Sequence, residues 1–102
     1  MMLVKLTEDL IRNGTRQSCR FCPIANFFNN LLNTEKYEAT VGRDKVNIRE
    51  ATSKPGLLGE IQQVIHLPLT AQSFIHTFDQ YKEVVPIEFE TDDINPEYLK
   101  TV

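Results

Sequence analysis

The strongest pattern along the chain is Ile24, Phe27, Phe28 and Leu31, spaced i, i+3, i+4 and i+7, with Leu32 widening the stripe. Asn26, Asn29, Asn30 and Asn33 fall mainly on the opposite side, which predicts an amphipathic helix with a core-facing stripe. Pro23 suits its first position, where a missing N–H costs no hydrogen bond. A shorter helix is signalled earlier by Thr7 as N-cap, with Glu8 and Asp9 in the positively polarised first turn. Leu6 and Ile11 stand at the two positions of a hydrophobic staple, and Asn13-Gly14 reads as a left-handed stop.

Further on the period changes from helical to alternating. Tyr37 to Val41 and Val46 to Ile48 alternate around Gly42-Arg-Asp-Lys45, the pattern of a β-hairpin. Residues 51–60, with Lys54-Pro55-Gly56 and Gly59, read as a loop that carries Leu57 and Leu58. Ile61 to Leu67 reads as a third strand closed by Pro68. Thr70 is then the expected cap of a last helix that places Ala71, Phe74, Ile75, Phe78 and Tyr81 on one face. Ile87 to Glu90 follows Pro86 as a short strand at a sheet edge.

This order, α-α-β-β-β-α-β, predicts the α+β class: a small, mostly antiparallel sheet with helices packed on one face. The second face is expected to be bare, leaving Thr40, Asn47 and Glu88 in water. Residues 1–90 are expected to form the one domain, and residues 91–102, acidic and Pro-containing, a loosely ordered C-terminal tail.

Composition narrows the class further. The chain has 102 residues, 41% of them apolar and 25% charged, enough for one core without obligatory disulfides or metals. No apolar run approaches the ~20 residues that span a bilayer, and the N-terminus lacks a signal peptide's apolar centre. A cytoplasmic protein with two reduced cysteines, and no membrane partner, is the expectation. The net charge of −3 argues against a general nucleic-acid binder. It is unevenly spread: residues 1–54 carry nine Lys/Arg against six Asp/Glu, and residues 55–102 carry two against eight.

Chemistry concentrates in Cys19-Arg-Phe-Cys22-Pro23. Cys22 falls at a helix N-terminus, where peptide N–H groups stabilise a thiolate, and Arg16 and Arg20 add positive charge. Four readings stay open. The pair can exchange thiol for disulfide, although no buried strand precedes it as in thioredoxin-like proteins. It can ligate zinc, with His66 and His76 as the remaining ligands or with the same cysteines of a second copy in a homo-oligomer. One cysteine can act as a nucleophile beside a histidine, although no pattern supplies an oxyanion hole. In the simplest case both are small apolar side chains under the second helix, with no metal or other cofactor.

Other candidates are less pointed. Glu88, Glu90, Asp92 and Asp93 form an acidic run that solvation explains. Arg43, Lys45 and Arg49 on the hairpin could touch phosphate but lack interleaved aromatics. Phe21, out of register with the helical stripe, is a candidate anchor for a partner.

Three blocks carry a resemblance: Ser18-Cys-Arg-Phe-Cys-Pro-Ile-Ala25, Leu67-Pro68, and Phe74-Ile-His-Thr-Phe-Asp79 followed by Val85-Pro-Ile-Glu-Phe89. Together they resemble short uncharacterised phage and bacterial proteins with a Cys-x-x-Cys-Pro-[Ile/Val]-Ala motif. The chain departs from that pattern at Gln80-Tyr81, where a small residue or Gly follows Phe-Asp. The resemblance implies a phage or prophage setting and transfers no activity.

No catalytic set assembles, which points away from an enzyme. The leading expectation is a small non-catalytic binding or accessory protein of phage type, acting by protein–protein interaction. The alternatives are a thiol-based module, zinc-stabilised or redox-active, that uses Cys19 and Cys22, and a nucleic-acid-associated module.

Overall fold

Leu6 and Val4 alternate with exposed Lys5 and Leu3, and this short run opens the fold as a strand, β1 (Met2–Leu6). A computed structural model of the chain describes residues 1–52, 54 and 56–101. After β1 come α1 (Glu8–Asn13), α2 (Pro23–Leu31), β2 (Tyr37–Val41), β3 (Lys45–Glu50), β4 (Ile61–His66), α3 (Leu69–Asp79) and β5 (Ile87–Thr91). A 3-10 turn at Pro96–Tyr98 follows. The chain is α+β, with antiparallel pairing throughout. Of the loop signal Lys54-Pro55-Gly56, Pro55 lies outside the described residues, as does Val102 of the expected tail.

Among the described residues there are two sheets rather than one. β2, β3 and β4 form a three-stranded sheet in that order, and β1 pairs with β5 in a separate ribbon. The sequence reading missed β1, and so gave β5 no partner of its own. The ribbon sets Val4 opposite Phe89, and both are buried. One apolar cluster runs through both sheets and the helices, from Val4, Leu6 and Phe89 through Ile24 and Phe28 to Ile48, Ile65 and Phe78.

α1 and α2 start as expected. The Thr7 hydroxyl accepts from the Leu10 N–H at 3.3 Å. α2 buries Ile24 and Phe28 completely, and Leu32 closes its end. Gly14 is not a left-handed stop: its φ is −75° and its ψ 149°. Glycine is needed there because a Cβ would sit 2.6 Å from the Pro23 Cδ. The constraint is the close approach of two segments. α3 begins two residues earlier than Thr70 implies, with Pro68 at the cap and no side-chain cap bond.

Two further expectations change. Thr40 and Asn47 are buried, not solvated, whereas Glu88 is exposed. The Arg49 guanidinium lies over that face, donating to the Thr40 hydroxyl at 3.0 Å and to the Gly59 carbonyl at 3.0 Å. The segment read as a loose tail is docked along its described length. Thr91, Ile94 and Tyr98 are buried. Asn33 N–H donates to the Tyr98 carbonyl at 2.9 Å, and Lys100 N–H to the Leu31 carbonyl at 3.0 Å. Apolar Ile94 and Tyr98, spaced four apart among charges, are what the acidic composition concealed.

A candidate ligand cleft around Cys19 and Cys22

The loop before α2 is shaped by its own polar atoms. The Ser18 hydroxyl accepts from the Phe21 N–H at 3.1 Å, and the Phe21 carbonyl accepts from the Thr15 N–H at 2.7 Å. Cys22 is the N-cap of α2, and its Sγ accepts from the Ala25 N–H at 3.4 Å. The Cys19 carbonyl accepts from the Val41 N–H at 2.8 Å, which ties the motif to β2.

The other end of the loop is tied to α3. Asp79 Oδ1 accepts from the Gln17 N–H at 2.8 Å, and the Asp79 carbonyl accepts from the Gln17 amide at 3.1 Å. The Arg16 guanidinium donates to the Phe78 carbonyl and, at 3.2 Å, to the Lys82 carbonyl. Its central carbon sits 4.3 Å from the Phe78 ring centre. An arginine on terminal carbonyls also suits the negative end of a helix dipole.

These ties enclose a cleft of about 410 Å³ between the motif loop, the β2–β3 turn and one side of α3. Cys22, Val41 and Ile75 supply apolar lining, while Cys19, Arg43, His76 and Asp79 bring the chemistry. His76 is exposed, with its Nε2 3.1 Å from the Gln80 amide nitrogen. Gln72, on the same side of α3, donates to the Leu67 carbonyl at 2.9 Å.

The two thiols differ. Cys19 is exposed and Cys22 buried, and both are free. Burial pushes the Cys22 thiol up, and this outweighs the Ala25 and Ile24 N–H groups that favour its thiolate. Asp79 and Cys19 raise it further. Of the two effects at this helix N-terminus, desolvation outweighs the N–H groups, which accords with a small apolar role for Cys22 under α2.

Of the candidate ligands, Cys19, Cys22 and His76 line the cleft, and His66, exposed on β4, does not. Among the described residues, no group of three or more His, Cys, Asp or Glu side chains is arranged to hold a metal ion. The basic trio of the hairpin is divided. Arg43 lines the cleft, Lys45 is exposed, and Arg49 is committed to Thr40 and Gly59. Phe21 is exposed and lines a second concavity with Arg20 and Glu38, whose charges lie 3.4 Å apart. The acidic positions Glu88, Glu90, Asp92 and Asp93 are all exposed on or beyond β5.

Sequence reasoning missed Asp79, Gln17 and Gln72 as neighbours of the cysteines. Asp79 had a signal, since it ends the Phe74-Ile-His-Thr-Phe-Asp79 block singled out in the sequence. Gln17 had none, because its role depends on a residue 62 positions away.

The chain was compared with known protein families, with curated protein sequences and with solved structures, and none of the three gave a match. Among the described residues no helix is long and apolar enough to cross a membrane.

Proposed function

We propose that this protein is a small non-catalytic binding protein, an accessory factor of phage type that engages another macromolecule through the cleft around Cys19. The supporting observation is the cleft itself. Its walls are cross-tied through Gln17–Asp79 and Cys19–Val41, so it is formed in advance of any ligand. Its volume falls within the ~300–1,000 Å³ usual for ligand sites, and a few polar groups sit against apolar lining. Such a cleft suits a side chain or short segment of a protein partner, with Arg43 and Asp79 offering both signs of charge. The same reading keeps the helices on one face of the three-stranded sheet, supported by the contact of α2 with β2. Free thiols accord with a cytoplasmic setting.

The test is quantitative affinity capture from a bacterial lysate, with wild type set against Arg43→Glu and His76→Ala. A cleft binder loses the same partner in both variants and keeps it in Lys54→Glu, a distant surface change. An identical set of captured proteins in all four samples would remove the cleft from the function.

A second reading has one specific support: an exposed thiol and a buried thiol stand three residues apart on a single cleft. In a thiol-exchange module, Cys19 and Cys22 would give up two protons and two electrons to a partner disulfide, which becomes two thiols. Mass spectrometry across a glutathione redox series separates the readings, since an exchange pair loses two hydrogens at a defined potential. Zinc ligation, within the same thiol class, is read directly by native mass spectrometry before and after chelation. For a nucleic-acid-associated module, exposed Arg43 and Lys45 are the support, and salt-dependent oligonucleotide binding is the test.

A further inference from the structure

The two outer edges of the three-stranded sheet are treated differently. On β2 the outward groups are satisfied within the chain. Ala39 donates to and accepts from the Asn29 side chain, Tyr37 N–H meets the Asn33 carbonyl, and Val41 N–H meets the Cys19 carbonyl. On β4, the Leu67 N–H donates to the Asp44 carbonyl at 2.9 Å, which sets the alternation of the ladder. Residues 63 and 65 then address β3, while Val64 and His66 turn N–H and C=O outward, and Gln62 is the extra residue of a bulge opposite Arg49. Among the described residues β4 pairs with β3 alone.

Open edges are usually blunted by charge, proline, bulges or very short length. β4 has a bulge at its start, at Gln62, but Ile61-Gln-Gln-Val-Ile-His66 contains no Asp, Glu, Lys, Arg or Pro, and pairing with β3 is regular from Gln63 to His66. We propose that β4 is the pairing edge of a homodimer. Two copies align β4 antiparallel about a two-fold axis at Val64, and two three-stranded sheets join as one of six.

The argument for a second copy is self-complementarity. In this register Val64 faces Val64 of the partner subunit, and no like charges are opposed along the regular part of the strand, Gln63 to His66. Exposed apolar side chains stand at both ends of the strand: Leu57 and Leu58 before it and Ile61 at its first position, and Leu69, 77% exposed, after it. Antiparallel pairing carries the start of one strand to the end of the other, so it brings those two exposed groups together. A parallel pairing would leave them apart. The inference is independent of the cleft, whose lining includes no residue of β4.

Sedimentation equilibrium of the full chain across the micromolar range tests it, with wild type, Val64→Lys and Val64→Glu run singly and as an equimolar mixture. Val64 is 39% exposed, so either charge can reach water in the monomer. Wild type is expected to dimerise, and each variant alone to dimerise roughly 10- to 100-fold more weakly, because like charges meet at the axis. The mixture should recover the dimer as a Lys–Glu heterodimer, which mere misfolding of either variant could not produce. A wild-type monomer at every concentration overturns the proposal. So does a dimer that both variants retain, or a mixture that stays monomeric.

Discussion

Gln17 and Asp79, 62 positions apart, hold each other by two hydrogen bonds, one at 2.8 Å from the Gln17 backbone N–H and one at 3.1 Å from its side chain. Gln17 adopts a left-handed φ of 57° to make them. This pair carries one wall of the cleft, because the chain leads from Gln17 directly into Cys19.

Asp79→Ala is expected to cost about 1 kcal/mol in urea unfolding, the usual worth of one net hydrogen bond in a partly exposed setting. Asp79→Asn, which keeps an acceptor, should cost less. Both should speed alkylation of Cys19, and Asp79→Ala should do so more. Unchanged alkylation in Asp79→Ala would separate the pair from the shape of the cleft.

Tyr81 has a φ of 61°, also left-handed, directly after the end of α3. A β-branched residue is poorly tolerated there, whereas glycine enters freely. Tyr81→Val should therefore be less stable than Tyr81→Gly by roughly 1–2 kcal/mol. Equal unfolding midpoints for the two variants would contradict the backbone assignment. Tyr81 occupies this turn with its ring 5.4 Å from the Arg16 guanidinium.

Cys22 links stability to alkaline pH. Burial raises its folded-state pKa above the ordinary value of 9.0. Below that value the thiol is neutral in both states, and its contribution is fully present. As pH rises past 9.0 the unfolded chain ionises first, so the contribution is lost progressively up to the folded pKa. Wild type should lose more stability between pH 8 and 10 than Cys22→Ala, measured by denaturant titration at each pH. Parallel losses would show that the thiol ionises alike in both states.

Tyr98 tests the docking of the chain's last described segment. Its ring centre lies 4.7 Å from that of Tyr37, and the residue is buried. Tyr98→Ala should destabilise by about 3 kcal/mol, in the range for large aromatic truncations. A loose tail would register no change in thermal or urea unfolding.

Much of the local structure was legible in the chain. The i, i+3, i+4, i+7 stripe located α2, alternation around Gly42 to Lys45 located the hairpin, and Thr7 marked the start of α1. The Cys-x-x-Cys-Pro motif drew attention to the region where the cleft lies. Which of its readings held for Cys22 was not legible, because a helix N-terminus is visible in sequence and the degree of burial of Cys22 is not.

By itself, then, the sequence determined the elements whose signal is periodic or lies within a few residues: α2, the β2–β3 hairpin, the cap at Thr7 and the α3 stripe from Ala71 to Phe78, without Tyr81, which lies beyond the helix and is exposed. Tertiary structure alone decided that Met2–Leu6 pairs with Ile87–Thr91, that Ile94 and Tyr98 complete the core, and that Gly14 is needed for the approach of Pro23. It also decided that Arg49 is spent on Thr40 while Arg43 faces the cleft. The physical reason is range. Periodicity records which side of an element is apolar, but a pairing or a close contact depends on the residue opposite, and that residue is chosen by the whole fold.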